Sequence, residues 1–401
     1  MRRGTHGDTS AAGIRVLDLS TVLAAPVTAT FLGDFGAEVV KVEEPGRGDF
    51  TRGTTAGARS PYWAQEARNK KSVTLDLRTE RGQRLVKELI PHFDVVITNY
   101  RPPTLEAWGL DPDSLSALAP DAVLVYVTGY GLTGPYRDRG SFDRTASAFA
   151  GLTYVTGDPD RSPVRSGYST IDYMAAYLGA FSVVTALYHR DTAGGGGQVV
   201  DLALYEAGFR ASEDALTSYA TTGRVRERLG NRNPQIVPAS DFTTSDGRRV
   251  SIHAGTDALF ARLVALMGTP ASADAPEYAT RAGRAEHADA LYATIAEWAA
   301  TRTADDLTKL LGDADIPASP LMSIADIAAD PHYRERGTLV TVEDPDFGEL
   351  PMVAPLPRLS KTPGSIRSTG PALGAHNSEV YQGVLGLSPD ELASLGADGV
   401  I

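Results

Sequence analysis

The order of apolar and polar positions near the start of the chain predicts a strand, a helix and a second strand. Residues 14–19 are rich in Val, Leu and Ile and predict a buried strand. Pro26 opens a predicted helix that runs to Phe35, and Gly36 follows as a residue suited to ending a helix. Residues 38–43, rich in valine, predict the next strand. A strand, a helix and a strand in this order predict a parallel sheet.

The same pattern continues to about residue 200. The apolar runs predict a helix at residues 79–89 and further strands at residues 73–77, 95–98, 122–128 and 198–202. Open α/β sheets bind ligands in the loops that follow the carboxyl ends of their strands, and residues 129–135 form one such loop. The four glycines at 194–197 follow a helix and precede a strand, so they predict a helix-ending turn and not a phosphate-binding loop.

The pattern changes near residue 225 and predicts a second, smaller domain. A hairpin is predicted at residues 242–253, turning at Asp246-Gly247. Helices are predicted at residues 256–267, 281–300 and 304–311. Thr256 is suited to cap the first of these helices and Gly268 to end it. Beyond about residue 316 the chain is rich in proline and strand-like, and it ends in a short predicted helix at residues 388–395.

Composition narrows the classes of function. The chain has 401 residues, no cysteine and a net charge of −12. Disulfides, thiolate metal sites and cysteine nucleophiles are therefore excluded, and the charge argues against a nucleic-acid or anionic-membrane surface. The first residues lack the apolar core of a signal peptide, and the sequence pattern indicates no apolar run of transmembrane length. We expect a cytoplasmic protein with a disordered tail at residues 1–12 and no membrane or nucleic-acid partner.

The common signatures of metal, nucleotide and hydrolase chemistry are absent from the sequence. None of the seven histidines pairs with another at i, i+4, so no metal site is expected. No phosphate-binding loop occurs, no GxGxxG follows the first strand, and no GxSxG elbow is present. Carboxylates, amides and loops remain, which suits a reaction that requires no proton transfer.

Asp172 is the candidate for that chemistry. It lies where a turn becomes a long apolar helix that is predicted to run to about His189. The first N–H groups of a helix and its dipole favour a charged carboxylate at this place. Asp172 therefore has two interpretations. It is either the cap of the helix or a carboxylate nucleophile that is ionised at pH 7 without help from a base.

Several motifs in a fixed order decide between these interpretations. They are Gly13-Ile-Arg-Val-Leu-Asp-Leu19 with Pro26 downstream, Gly36-Ala-Glu-Val-Val-Lys-Val-Glu43, Gly48-Asp49, Asn69-Lys-Lys-Ser-Val-Thr-Leu-Asp-Leu77, Asn99-Tyr-Arg-Pro102, the glycine turn before Leu204-Tyr-Glu206, Pro357-Arg-Leu-Ser360, Thr362-Pro-Gly364 and Leu373-Gly-Ala-His376. Together they resemble the class III CoA-transferases, the family of formyl-CoA transferase and carnitine CoA-transferase. The resemblance extends from about Gly13 to Ile401.

The resemblance implies a mechanism and a coenzyme A site. Asp172 falls on the family's catalytic aspartate, which carries first an acyl group, as a mixed anhydride, and then CoA, as an aspartyl thioester. The substrates implied are an acyl-CoA donor and a free carboxylate acceptor, with no metal. The positions that match the family's CoA-binding residues are Val22, Leu23, Ala24, Leu75, Leu77, Arg78, Asn99, Tyr100, Arg101, Gly140 and Asp143.

The resemblance also implies the fold. It is a large Rossmann-like α/β domain with a parallel sheet, built from both ends of the chain, with a smaller α+β domain inserted and two chains interlocked as a homodimer. The implied ranges are 13–222 for the first part of the large domain, 223–325 for the small domain and 326–401 for the segment that returns to the large domain.

Departures from the family pattern define the alternatives. Leu23, Ala107 and Gly140 replace polar or basic residues of formyl-CoA transferase, which weakens oxalate or formate as a substrate. In the related acyl-CoA racemases a histidine stands where this chain has Phe142, and a phenyl ring cannot carry a proton. A racemase with a different base is the first alternative. A non-catalytic CoA-binding protein is the second.

Overall fold

The computed structural model describes residues 9–53, 59–233, 235–268 and 275–401. The chain forms two compact units. The larger unit comprises the chain up to Thr153, Arg165–Gly223 and His332–Ile401, and the smaller unit comprises Tyr154–Val164 and Arg224–Pro331. The segment Tyr154–Val164, which lies within the range predicted for the large domain, therefore groups with the smaller unit.

A six-stranded parallel sheet is the centre of the larger unit. Its strands are β1 (Arg15–Asp18), β2 (Glu38–Glu43), β3 (Lys70–Thr74), β4 (Val95–Thr98), β5 (Val123–Thr128) and β6 (Val199–Ala203). They are arranged in the order β3-β2-β1-β4-β5-β6, and every neighbouring pair is parallel. The parallel sheet predicted from the strand–helix–strand pattern is confirmed. The strand order reverses between β1 and β4, and ligands bind at such a point in open α/β sheets.

Helices cover both faces of this sheet. Those before the smaller unit are α1 (Ala24–Asp34), α2 (Pro61–Glu66), α3 (Glu80–Leu89), α4 (Pro102–Trp108), α5 (Pro112–Leu118), α6 (Asp143–Phe149), α7 (Thr170–Ala193), α8 (Leu204–Arg210) and α9 (Ala215–Thr222). Side chains alternate between the faces, so that Leu17 packs in the core beneath α3 while Val16 packs in the core shared by α1 and α7. Both faces of the strands are therefore buried, as their apolar runs indicate.

The smaller unit is an antiparallel sheet with helices. It contains β7 (Ala239–Thr243), β8 (Arg249–His253), α10 (Asp257–Met267), α11 (Arg281–Glu286), α12 (Ala288–Ala299), α13 (Ala304–Asp313), β9 (Ala318–Pro320) and α14 (Ile324–Ala329). The predicted hairpin is confirmed, with Gly247 at φ 78 in its turn. Thr256 caps α10 by accepting from the N–H of Leu259, and Gly268 ends it, as predicted. The single helix predicted at 281–300 is wrong, because the backbone leaves helical geometry at His287.

The last part of the chain returns to the larger unit. It contains α15 (Pro331–Glu335), β10 (Leu339–Asp344), β11 (Gly348–Val353), α16 (Asn377–Leu385) and α17 (Pro389–Ala397). Asn377 accepts from the N–H of Thr74 at 2.8 Å, and the Tyr381 hydroxyl donates to the Thr74 carbonyl at 2.7 Å. His376 donates its N–H to the Ser72 carbonyl at 2.9 Å. The C-terminal segment therefore satisfies the backbone at the free edge of β3, which would otherwise be open to pairing.

Three sequence-based expectations differ from the observed structure. The strand predicted at 73–77 lies at 70–74, because buried Lys70 takes a strand position that reads as polar. Within the predicted tail, Ala11 donates its N–H to the Phe35 carbonyl at 2.9 Å, so this part is ordered. Residues 1–8 of the predicted tail lie outside the described residues. The expectation that no apolar run reaches transmembrane length is wrong for α7, which is long and apolar enough to cross a membrane. Core helices of soluble proteins can have the same length and composition.

Candidate active site

The turn between β1 and α1 lies at the point where the strand order reverses, and side chains from other segments hold it. Asn99, which follows β4, accepts from the N–H of Thr21 at 2.8 Å and donates to the Thr21 carbonyl at 2.7 Å. Asp49 accepts from the N–H of Val22 at 3.1 Å. Val22 has φ 70, a left-handed backbone conformation that is rare for a β-branched residue and costs about 1–3 kcal/mol. The surrounding hydrogen bonds maintain this strained turn.

Buried charges lie beneath this turn. Lys41 Nζ is 3.3 Å from an Asp49 oxygen and 3.7 Å from an Asp18 oxygen, and it donates to the Ser20 carbonyl. Lys70 Nζ is 2.9 Å from the other Asp18 oxygen. Burial alone would raise the pKa of Asp18, but the two lysines hold that pKa below its ordinary value. The charge of Asp18 is therefore favoured by the two lysines, each of which approaches one of its oxygens.

Asp172 is the third residue of α7, and the residue is only 9% exposed. The backbone N–H groups at the start of this helix are satisfied by another residue, because Asp143 Oδ2 accepts from the N–H of Ile171 at 2.8 Å and from that of Asp172 at 3.4 Å. Ser169 occupies the N-cap position without a side-chain hydrogen bond. The interpretation of Asp172 as the helix cap is therefore wrong, and Asp143 has that role from α6.

The pKa of Asp172 differs from the expectation. Burial, and secondarily the negative charge of Asp143, raises the pKa of Asp172 to about 7. No described residue donates a side-chain hydrogen bond to its carboxylate. The nearby backbone N–H groups of Ile171 and Asp172 donate to Asp143 instead. In this setting the Asp172 carboxyl is therefore harder to ionise than the position at a helix N-terminus predicts.

A cavity of about 520 Å³ opens beside Asp172. Its walls combine the strained turn, the start of α6, the start of α7 and the 3₁₀ turn Phe50–Arg52. The lining residues are Val22, Leu23, Phe50, Thr51, Tyr62, Phe142, Asp143, Arg144, Arg165, Ser169 and Asp172. Phe50 is 76% exposed and Phe142 is 70% exposed, so two large apolar side chains in the cavity wall are accessible to a ligand. The cavity therefore offers an apolar wall, two arginines and one unpaired buried carboxylate.

Some of the predicted CoA-binding residues meet at this cavity. Val22, Leu23 and Asp143 line it together with Asp172. Ala24 is the first residue of α1 and is buried directly after them. Asn99 acts on the same turn through its two hydrogen bonds to Thr21.

Other predicted CoA-binding residues lie away from the cavity lining. Leu75 and Leu77 are buried in the core beneath α3. Tyr100 packs edge-on against Trp108 at 4.8 Å, and Arg101 and Gly140 are exposed.

Arg78 and Tyr100 lie at the same edge of the larger unit. Arg78 is exposed and pairs with Asp76 and Glu44, each at 2.8 Å. Burial raises the pKa of Tyr100, and both Glu44 and Arg78 act on that pKa.

Sequence reasoning did not select several cavity residues. Phe50 and Tyr62 lie in or beside a segment rich in Gly, Thr and Arg whose composition indicates a surface loop. The presence of two aromatic residues in such a loop was the feature that could have indicated a binding role. Arg165 carried no signal, because only the fold brings it beside Asp172. Among the described residues, no group of three or more His, Cys, Asp or Glu side chains could hold a metal ion.

The comparisons with known proteins identify the family. The sequence profile described as CoA-transferase family III matches residues 11–377. The chain belongs to this family and is a CoA-transferase that moves CoA between an acyl-CoA and a carboxylate. The resemblance read from the motifs is therefore confirmed.

The chain is 44% identical to succinyl-CoA–D-citramalate CoA-transferase of Chloroflexus aurantiacus, over 97% of each protein. It is 33% identical to succinate–glutarate CoA-transferase of Agrobacterium fabrum, over 92% of this chain and 94% of that protein. Among solved structures it resembles a CaiB/BaiF family protein from Brucella suis, with a TM-score of 0.83 and 32% identity, covering 94% of this chain and 100% of that one.

Proposed function

We propose that Asp172 is the nucleophile of the CoA transfer and carries each group covalently in turn. The observation that supports this most strongly is a buried carboxylate, with no described hydrogen-bond donor, on the wall of a cavity beside the switch point of the sheet. A carboxylate stripped of water and of hydrogen bonds is a better nucleophile than a solvated one. The raised pKa of Asp172, about 7, reflects the same lack of solvation.

The steps balance without water, ATP or a net proton. An Asp172 oxygen attacks the donor thioester carbon, the C–S bond breaks and CoA leaves as a thiolate, which gives a mixed anhydride. The thiolate attacks Cγ of Asp172 and releases the donor acid as a carboxylate, which gives an aspartyl-CoA thioester. The acceptor carboxylate attacks the same carbon and releases the thiolate. The thiolate then attacks the acceptor carbonyl, which forms the new acyl-CoA and restores Asp172.

Trapping the enzyme during turnover tests this mechanism. Incubation with succinyl-CoA, the donor in the names of the relatives, followed by hydroxylamine should convert Asp172 to a hydroxamate that peptide mass spectrometry detects. The matched control is Asp201→Asn, a partly buried aspartate outside the cavity, which should keep the modification and the activity. Near-normal transfer by Asp172→Asn would show that this carboxylate is not the nucleophile.

We propose that CoA follows the turn at Val22 toward the edge at Arg78 and Tyr100. The full proposed set is Val22, Leu23, Ala24, Leu75, Leu77, Arg78, Asn99, Tyr100, Arg101, Gly140 and Asp143. The exposed guanidinium of Arg78 and the exposed Arg101 suit the phosphates of CoA. Replacing Arg78 by Ala should raise KM for acyl-CoA while kcat changes little, because these contacts do not involve the reacting carbon.

An additional acyl-CoA racemase activity is the second candidate, because a carboxyl group with a pKa of about 7 beside Asp143 also suits proton transfer. Against it, Phe142 lines the cavity where the racemases have a histidine. Incubating the enzyme with a 2-methylacyl-CoA in heavy water separates the two. A racemase would incorporate deuterium at the α-carbon, and a transferase would not.

We also propose a homodimer with interlocked chains. One face of α7 exposes a row of large apolar side chains at helical spacing, namely Tyr177, Phe181, Val184 and Tyr188, each between 58% and 70% exposed. Contiguous exposed apolar surface of this kind marks an interface. Light scattering of the purified full chain should give twice the monomer mass, and a monomer that retains full activity would contradict the proposal.

A further inference from the structure

Two arginines line the cavity that contains Asp172, and neither is paired. Arg144 is the second residue of α6, and Arg165 lies in the segment that leads into α7. No described carboxylate forms an ion pair with either guanidinium, and the hydrogen bond of Arg165 goes to the Ser166 carbonyl at 3.0 Å. Both side chains are exposed and line the same cavity as Asp172, so both cations are available to an anion bound there.

Unpaired arginines at this place are informative because of the rest of the chain. The protein carries a net charge of −12, and some of its other arginines, such as Arg232 and Arg248, pair with a carboxylate. The remaining wall of the cavity is largely apolar, from Phe50 and Phe142. An apolar wall reduces the screening of a nearby charge, so that two guanidinium groups there attract an anion more strongly than on open surface.

We infer that the acceptor carries a second carboxylate, and that Arg144 and Arg165 bind it while the first carboxylate meets Asp172. This inference rests on the proposed role of Asp172. Citramalate and glutarate, in the names of the relatives, are dicarboxylates, and the inference adds the two residues that would select for that class. Guanidinium groups bind carboxylates through paired, charge-assisted hydrogen bonds. A monocarboxylate of equal length would leave both cations facing an apolar chain end, so the cavity selects against it.

Two acidic groups line the same cavity as the arginines. Asp143 and Asp172 repel a dianion, and a dicarboxylate brings two negative charges toward them. Arg144 and Arg165 supply two compensating positive charges from different segments of the chain. Removing one arginine should therefore weaken a dicarboxylate much more than a monocarboxylate, whose tail carries no charge.

The test compares glutarate with pentanoate, which have the same chain length and differ in one carboxylate. The donor, succinyl-CoA, is held at saturation, and kcat/KM is measured for each acceptor, since in a ping-pong reaction this ratio reports only the steps after CoA is loaded. The wild type should prefer glutarate at least a hundredfold. Arg144→Gln and Arg165→Gln should each lower that preference at least tenfold, mainly through KM, and the lysine variants should recover part of it.

Controls keep the outcomes distinct. Arg84→Gln, an exposed arginine of α3, should leave the preference unchanged, and circular dichroism should show that each variant is folded. Calorimetric binding of glutarate, which needs no turnover, should weaken in both glutamine variants.

Three results would be decisive against one proposal or the other. A wild-type preference near one, or an equal loss for both acceptors in the arginine variants, would overturn the dicarboxylate inference and leave the transferase mechanism standing. Retained glutarate preference together with full activity of Asp172→Asn would overturn the nucleophile and leave the arginine site standing.

Discussion

The two walls of the active-site cavity differ in how their polar groups are used. On the wall formed by the turn after β1, Asn99, Asp49 and Lys41 direct their polar atoms at one another or at the backbone of the turn. On the wall formed by α6, α7 and the segment before α7, no described carboxylate forms an ion pair with Arg144 or Arg165, and no described side chain donates to Asp172. The first wall is built to hold a shape, and the second keeps its charges available for substrates. The groups that hydrogen-bond with one another and the groups that can react therefore belong to different segments of one site.

The largest expected effect comes from removing a buried charge from the first wall, where the polar groups pair with one another. Lys41→Ala leaves Asp18 and Asp49 buried without their shared cation, so the free energy of unfolding should fall by about 3–5 kcal/mol. Urea denaturation at neutral pH measures this. Lys309→Ala, which removes an exposed i,i+4 pair with Asp313, serves as the control and should change stability by about 0.5 kcal/mol or less. A loss in Lys41→Ala as small as in the control would show that the buried cluster does not stabilise the turn.

On the reactive wall, removing the charge should increase stability. The folded pKa of Asp172, about 7, lies above the ordinary 3.8, so folding is opposed by the charge above pH 7 and progressively less as the pH falls toward 3.8. Asp172→Asn should therefore be more stable than the wild type at pH 8 by roughly 2–4 kcal/mol, and by less at pH 5. Urea titrations at the two pH values give both differences. If the variant is no more stable at pH 8 than at pH 5 relative to the wild type, Asp172 is solvated in solution.

Asp143 has both uses within the second wall, because it caps α7 and also raises the pKa of Asp172. Asp143→Asn keeps an oxygen that can accept from the N–H of Ile171 but removes the charge. The rise of kcat/KM with pH, which should have its midpoint near pH 7 in the wild type, should shift to lower pH by roughly one unit. Asp201→Asn is the matched control. An unchanged midpoint in Asp143→Asn would assign the shift to burial alone.

The smallest expected effect concerns the strained turn itself. Val22→Gly removes the steric conflict of φ 70 but loosens the unfolded chain, so the two contributions nearly cancel and stability should change by about 1 kcal/mol or less. The turn then loses restraint, and KM for acyl-CoA should rise a few fold. A loss above about 2 kcal/mol would mean that the side chain of Val22, which packs beside Leu23, matters more than its backbone.

The features that could be predicted from the sequence are those that depend on nearby residues. Apolar runs located β1, β2, β4 and β5, because strands buried on both faces are apolar throughout. Buried Lys70 obscured β3, since its partner Asp18 lies 52 positions away.

The same limit applies to the site. The motifs located Asp172, but its pKa depends on burial and on Asp143, which lies 29 positions earlier and takes the N–H groups that were expected to stabilise the charge. Arg165 lines the cavity only because of the fold, and no sequence pattern indicated it.

The closure of β3 by α16 has a consequence for synthesis of the protein. Thr74 bonds with Asn377, 303 positions later, so the edge of the large sheet stays open on the ribosome until nearly the whole chain has emerged. Most of the smaller unit, Arg224–Pro331, is complete before that moment. A chain that ends ahead of residue 377 would therefore expose an unprotected β-edge and is expected to aggregate.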